Sequence, residues 1–96
     1  MKHKIDSVAD IGQVIRAVRK STQIRQDDLA GAVRVSRQFA IDVEKGKPTV
    51  QFGRVLLLLQ ELGISLCVEI PDEASSVLKA QLERRREVAQ KEAGKS

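Results

Sequence analysis

The stretch IRQDDLAGAVRVSRQFAIDVEKG, from Ile24 to Gly46, predicts two short helices joined by a tight turn. Apolar residues recur at helical spacing on each side of the turn, as expected for helices that bury one face. Ser36 is well placed to cap the second helix, since a serine hydroxyl accepts a hydrogen bond from a free N–H of the first turn. The two apolar stripes are Leu29, Ala30 and Val33, then Val35, Ala40 and Val43.

The second predicted helix, from Ser36 to Lys45, carries side chains suited to reading DNA bases. Two helices that meet at a turn of three or four residues form a helix-turn-helix, whose second helix enters the major groove. Arg37 can bond to guanine O6 and N7, and Gln38 can bond to adenine N6 and N7. The plainer interpretation is that these polar side chains only cover a solvated helix surface.

Several positions in and after this stretch have a recognisable order and spacing: Gln26, Leu29-Ala30, Val35-Ser36-Arg37, Glu44 and Gly46-Lys47. This pattern resembles the Xre/Cro-type helix-turn-helix family, the fold of small phage repressors, over about residues 11 to 63. The run SRQFAIDVEKGKPT, followed by an apolar helix and LGISLCVEIP, is similar to the HipB-like antitoxins of toxin–antitoxin operons. The resemblance implies a dimeric repressor that binds its own operator and a HipA-type kinase toxin.

The resemblance also indicates which positions on the second helix face DNA. These are Ser36, Arg37, Gln38 and Asp42. Two interpretations of Asp42 are open, because its carboxylate could accept from cytosine N4 or could orient Arg37 or Gln38. Ile41 lies on the same side, and we expect it either to contact a thymine methyl group or to belong to the core.

Contacts with DNA phosphates are implied in the same way. Gln26 matches a glutamine that donates to a phosphate from a helix N-terminus. Arg25 stands where the family usually has a capping Thr or Ser, and it adds a cation instead. Arg34 stands where the family usually has Gly, so we expect roughly 1 kcal/mol of backbone strain and a phosphate contact in return. Lys45 and Lys47 complete the expected set.

An ion pair between Arg19 and Glu44 is a further implication of the resemblance. Arg19 lies near the end of a further helix expected from Ser7 to Lys20, the first of the chain. Glu44 lies near the end of the helix from Ser36 to Lys45, which is the third in chain order. Such a pair would lock these two helices together. The alternative interpretation is that Arg19 is a plain surface residue.

The composition limits the class of protein. The 96 residues allow one small domain whose core is aliphatic, because the chain has two Phe and no Trp or Tyr. A net charge of +4 suits a nucleic-acid partner. A single cysteine cannot form an internal disulfide, and the longest apolar run, Val55 to Leu59, is too short for a membrane span. We therefore expect a cytoplasmic protein that makes no membrane contact, and the resemblance implies a bacterial one.

The predicted fold class is all-α. We expect a compact four-helix domain of the Xre type with one C-terminal strand at residues 1–71, followed by a charged extension at residues 72–96. The fourth helix, capped at Thr49 or its neighbour, should run to about Leu62 and is apolar nearly all round. Its expected core face consists of Phe52, Val55, Leu56, Leu59 and Leu62.

The segment Ile64–Ile70 alternates strictly between apolar and polar residues, which is typical of a strand. Because no second strand is evident, we expect it to pair with its own copy across a two-fold axis. The two recognition helices would then face successive major grooves, about 34 Å apart, on a palindromic operator. The expected dimer interface is Leu58, Ile64, Leu66, Val68 and Ile70.

The extension at residues 72–96 is highly charged. Val77, Leu78 and Leu82 give it a thin apolar stripe, and the run Arg84–Arg86 suits DNA or an acidic partner. Two interpretations are open: a marginal helix that frays toward Lys95, or a solvated tail.

No catalytic, metal-binding or cofactor-binding constellation is visible in the sequence, so we expect neither enzyme activity nor a bound metal or cofactor. The favoured hypothesis is a dimeric, sequence-specific repressor that acts as a HipB-like antitoxin on its operator and on a HipA-type kinase toxin. One alternative is a stand-alone Xre or phage-type repressor with no toxin partner. Another is a bridging protein that uses a helix-turn-helix scaffold without reading bases.

Overall fold

A computed structural model describes residues 1–94. It contains five α-helices and, among these residues, no strand. The predicted all-α class is therefore confirmed for the described part of the chain. The helices are α1 (Val8–Ser21), α2 (Gln26–Ala32), α3 (Arg37–Glu44), α4 (Phe52–Glu61) and α5 (Asp72–Gly94).

The chain divides into two compact units, Met1–Leu66 with α1 to α4 and Cys67–Ser96 with α5. The first unit has a single aliphatic core. A partly buried ring of apolar side chains surrounds this core, and Val35 and Phe39 belong to that ring. The fully buried residues at its centre are Ile15, Leu29, Val43, Val55, Leu58 and Leu59.

Helix α1 begins where the sequence predicts its cap. The Ser7 hydroxyl oxygen accepts from the backbone N–H of Asp10 at 3.1 Å, and the Asp10 carboxylate accepts from the N–H of Asp6 at 3.0 Å. These bonds satisfy N–H groups that have no partner inside a helix. Further along α1, Gly12 allows a close crossing with α3, since a Cβ atom there would overlap the carbonyl oxygen of Val43.

Helix α4 differs from the prediction at its start and in its buried face. It begins after Gln51, which makes no side-chain capping bond, and not after Thr49 or its neighbour. Phe52 is 55% exposed, so its assignment to the core was wrong. Val55 and Leu59 are buried as predicted, and Leu56 and Leu62 are partly buried against the core. Leu58, which the prediction left out of this face, is also buried. In a helix that is apolar nearly all round, periodicity cannot fix which face turns inward.

The burial of Leu58 also shows that its predicted contact with a second copy was wrong. Leu58 is 0% exposed within its own chain, so it has no surface to offer a second copy. Its neighbour Leu57 is the exposed leucine of this helix, at 42%. Ile64 is half-buried against the same core, which leaves Leu66, Val68 and Ile70 as the exposed apolar residues of the predicted strand.

The segment from residue 64 to residue 70 is neither helix nor strand in the single chain. Ile64 donates to the carbonyl of Leu59, but among the described residues no backbone hydrogen bond involves Ser65 to Ile70. The predicted strand is therefore not formed within a single copy of the chain.

Helix α5 is continuous through the described part of the extension, with Asp72 and Glu73 in its first turn, where acidic side chains favour a helix. Val77, Leu82 and Val88 are exposed apolar residues on it. The expected fraying toward Lys95 lies outside the described residues. Within the described range, no helix combines the length and apolar character needed to cross a membrane.

Candidate nucleic-acid interface

The turn between α2 and α3 is built by two backbone hydrogen bonds. Val35 N–H donates to the carbonyl of Ala30 at 3.0 Å, and Arg34 N–H donates to the carbonyl of Gly31 at 3.3 Å. This pair of bonds is the Schellman motif that ends many helices, and it requires a left-handed residue at its apex. Arg34 takes that conformation at φ 60°, so the strained Arg expected from the sequence is present.

Small buried side chains hold α2 and α3 against each other across this turn. Ala30 of α2 is 2% exposed and Ala40 of α3 is 1% exposed. Leu29 of α2 and Val43 of α3 are buried in the same core. The inner face of α3 is therefore fixed by packing, while its outer face remains available.

The first turn of α3 presents polar side chains on that outer face. The hydroxyl oxygen of Ser36 accepts from the N–H of Phe39 at 3.0 Å, so Ser36 caps the helix as the sequence predicts. Arg37 and Gln38 follow it and are both exposed. Ile41 is half-buried, and Phe39 is half-buried against the core.

Asp42 makes two side-chain contacts on the same face. Its Oδ1 accepts from Nε2 of Gln38 at 2.9 Å, and its Oδ2 lies 3.7 Å from Nζ of Lys47. Of the two predicted partners, Gln38 and not Arg37 is therefore the one that Asp42 holds.

The residues expected to contact phosphates lie in three places around α2 and α3. Arg25 and Gln26 are at the start of α2, where Arg25 makes no side-chain capping bond and pairs with Asp27, with 3.2 Å between Nε and Oδ1. Arg34 is exposed in the turn. Gln26 is half-buried, whereas the remaining two, Lys45 and Lys47, are exposed just after α3.

The ion pair implied by the resemblance is present. Arg19 Nε donates to Oε2 of Glu44 at 2.8 Å, and Nη2 donates to Oε1 at 2.9 Å, so the contact is bidentate. The side chains are only 12% and 3% exposed. The hydrogen bonds with Glu44 raise the pKa of the Arg19 guanidinium, against the opposing effect of burial. This pair ties α1 to the last turn of α3 and so helps to fix the orientation of the exposed face.

One residue of this region was missed at the sequence level. Gln23, in the turn between α1 and α2, also has φ 60°. The sequence has no glycine there to mark a left-handed residue. The available signal is Ile24, because an apolar residue directly after the left-handed position is frequent in this kind of helix end.

Comparison with known proteins supports the helix-turn-helix interpretation of this geometry. No family model matches the chain. A curated relative, the uncharacterized HTH-type transcriptional regulator y4mF of Sinorhizobium fredii, is 48% identical over 73 residues, which cover 76% of this chain and 96% of the relative. The chain belongs to the HTH-type transcriptional regulators.

Solved structures show what kind of helix-turn-helix this regulator has. A structure described as the HipA–HipB–O2–O3 complex matches with a TM-score of 0.68 at 18% identity, over 74% of this chain and 100% of the other. A HipB–O4 20mer complex matches with a TM-score of 0.67 over the same shares. The predicted Xre/HipB-like fold of the regulator is confirmed by these matches.

Proposed function

We propose that this regulator is a dimeric, sequence-specific DNA-binding repressor that reads its operator with α3. The observation that carries the proposal is the contrast between the two faces of α3. Ala40, Val43 and Glu44 are buried on one face, whereas Arg37 and Gln38 are exposed in the first turn of the other. A rigidly supported helix with a polar outer face is what major-groove reading requires.

The charged side chains around α3 support the DNA-binding part of this proposal. Arg34, Lys45 and Lys47 surround the helix at its two ends, where contacts with phosphates would set its register on the duplex. Arg25 and Gln26 would add contacts from the start of α2, once Arg25 exchanges its exposed partner Asp27 for a phosphate. Base edges would be read by Arg37 and Gln38, assisted by Ser36, Ile41 and Asp42.

The proposed dimer rests on the segment from residue 64 to residue 70. Leu66, Val68 and Ile70 are 49%, 76% and 38% exposed, and the backbone around them lacks hydrogen bonds within the described chain. Pairing with the same segment of a second copy would satisfy these groups in a two-stranded ribbon. The two α3 helices would then lie about 34 Å apart and fit a palindromic operator.

The proposed partner is a HipA-type kinase toxin, which would make the regulator an antitoxin in the bacterial cytoplasm. Support comes from the likeness of its fold to the HipB chain of the HipA–HipB–O2–O3 complex. A stand-alone repressor has the same α3 and the same dimer, so only the partner separates the two functions. The neighbouring reading frame and co-purification decide between them, because a kinase-like protein should be encoded beside this gene and should be retained by the tagged regulator.

Base reading is tested with the duplex that the wild-type protein selects from a randomised pool. Arg37→Ala and Gln38→Ala should each weaken binding to that duplex by about 1–3 kcal/mol and relax specificity at one base pair. Lys47→Ala should weaken all duplexes similarly and reduce the salt slope by about one unit. Lys79→Ala, in α5, is the control for loss of one exposed cation. Equal losses for Arg37→Ala on selected and scrambled duplexes would refute base reading.

Assembly is tested by analytical ultracentrifugation at micromolar protein. The wild type should sediment as a dimer. Leu66→Pro or Val68→Pro should weaken the dimer and abolish tight operator binding, because proline removes a ladder donor or distorts the strand. Circular dichroism should show that α1 to α4 stay formed. A wild-type monomer would refute the shared-strand dimer and the palindromic operator with it.

A further inference from the structure

Three side chains form a connected chain along the outer face of α3 and its C-terminal end. Gln38 donates through Nε2 to Oδ1 of Asp42 at 2.9 Å, and Oδ2 of Asp42 lies 3.7 Å from Nζ of Lys47. The backbone repeats the second link, since the N–H of Lys47 donates to the carbonyl of Asp42 at 3.0 Å. Both carboxylate oxygens of Asp42 are thus engaged, and its side chain is only 26% exposed.

The position of Lys47 distinguishes this helix end from the others in the same unit. The matching residues after α1, α2 and α4 are Ile24, Val35 and Ile64, which pack against the core. An apolar residue at this position usually contacts the last turn of its helix. After α3 the position is held by an exposed lysine, and the contact with the last turn is an ion pair with Asp42.

The chemistry of Asp42 decides how the Gln38 amide is turned. An ionised carboxylate only accepts hydrogen bonds, so an amide bonded to it must present its NH₂ group. One N–H of Gln38 is committed in this way. The oxygen Oε1 and the second N–H remain for a base edge, because no other described residue bonds to them.

This division of donors and acceptors discriminates between purines. In the major groove adenine offers the N6 amino donor and the N7 acceptor, whereas guanine offers two acceptors, O6 and N7. The remaining oxygen and N–H of Gln38 match adenine. A bidentate contact with guanine would need both N–H groups, one of which Asp42 holds.

We propose that Asp42 is a positioning residue that makes Gln38 select adenine over guanine, with Lys47 neutralising the carboxylate beside the DNA phosphates. The inference rests on the proposed function of α3 in reading DNA and adds which base Gln38 selects and why. It also assigns Asp42 to orienting Gln38, which donates to its Oδ1 at 2.9 Å, in place of direct reading of cytosine N4.

The test measures binding of four proteins to the duplex selected by the wild type and to its single-base-pair variants. The wild type should prefer adenine over guanine at one base pair by about fivefold to a hundredfold, the range expected for a bidentate contact. Asp42→Ala should bring this ratio close to one, because the freed amide can turn either way. Its melting temperature and dimer mass should stay unchanged. Gln38→Ala should lose the same preference, and the double variant should behave as Gln38→Ala.

Two outcomes would overturn the inference while leaving the proposed function intact. The first is an unchanged adenine-to-guanine ratio in Asp42→Ala. The second is a base preference that Asp42→Ala alters in the Gln38→Ala background, which would mean that Asp42 contacts a base itself. A wild-type protein with no base preference at any position would instead overturn the proposed function, and this inference with it.

Discussion

The ends of α3 and α4 have glycine at the left-handed position, whereas the ends of α1 and α2 do not, although all four ends have the same hydrogen bonds. In each, the N–H of the third residue after the helix donates back to a carbonyl of the last helical turn, at 2.9 to 3.0 Å. The residue directly before this donor has a left-handed conformation. After α3 and α4 it is Gly46 and Gly63, with φ 82° and 71°. After α1 and α2 it is Gln23 or Arg34, both with φ 60°.

This comparison shows that the helix-end motif can form without glycine, and that glycine only removes its backbone strain. A left-handed conformation costs roughly 1–2 kcal/mol in a residue with a Cβ atom, and glycine avoids that cost. Core packing of Ile24 and Val35 directly after the strained residues holds α1 and α2 in the same geometry. For Arg34 we infer that the strain is retained for a phosphate contact. Nothing in the structure explains the side chain at Gln23.

The largest effect is expected from removing the ion pair that supports the end of α1. Arg19 holds that end directly, since its Nη1 donates to the carbonyl of Ile24 at 3.0 Å while Glu44 neutralises its charge. Glu44→Ala would leave a largely buried cation unpaired, which typically costs about 3–5 kcal/mol. Urea denaturation should measure this loss. Asp27→Ala breaks the exposed pair with Arg25 and is the control, with a loss below about 1 kcal/mol.

The pH dependence of this pair follows from the sign of the shift. The pKa of Arg19 is raised in the folded chain, so its contribution to stability is fully present below the ordinary arginine pKa and is lost only above it. The same denaturation curves, recorded at pH 6 and pH 9, should therefore give the same difference in unfolding free energy between wild type and Glu44→Ala.

A loss of stability in Glu44→Ala that only equals that of the Asp27→Ala control would show that the pair does not support α1.

The next largest effect is expected at Gly46. Its absent Cβ would lie 2.8 Å from Cα and 2.9 Å from Cβ of Ala9, so alanine there adds a collision to the strain of positive φ. We expect Gly46→Ala to cost about 2–4 kcal/mol, the sum of strain and overpacking. Gly63→Ala is the matched variant, because nothing lies within 4 Å of its added Cβ, and it should cost about 1 kcal/mol. Thermal melts that rank Gly63→Ala above Gly46→Ala in damage would contradict this account.

The smallest expected changes in stability are increases and not losses. Arg34→Gly and Gln23→Gly should each stabilise the fold by about 0.5–1 kcal/mol, since relief of strain exceeds the entropy cost of glycine. DNA binding should separate them. Arg34→Gly should weaken binding to all duplexes alike, whereas Gln23→Gly should leave it unchanged. If both variants bind DNA as the wild type does, the strain at Arg34 has no role in phosphate contact.

The sequence by itself determined the elements whose information is local. Helical spacing of apolar residues placed α1 to α3, and the hydroxyls of Ser7 and Ser36 marked two helix starts, because a cap lies next to the groups it satisfies. The family pattern added the left-handed Arg34 and the pair of Arg19 with Glu44. These features depend on residue type and spacing, so they can be recognised before any folding is considered.

Only the tertiary structure decided the features that depend on how elements pack. It turned Leu58 inward and left Phe52 and Leu57 exposed, because a helix that is apolar nearly all round takes its orientation from its neighbours. It put Gln23 in a left-handed turn that no glycine announces. It also brought Lys47, which follows α3, to the carboxylate of Asp42. The spacing of four residues between Gln38 and Asp42 permits their contact within the helix, but only the folded end of α3 brings Lys47 to the same carboxylate.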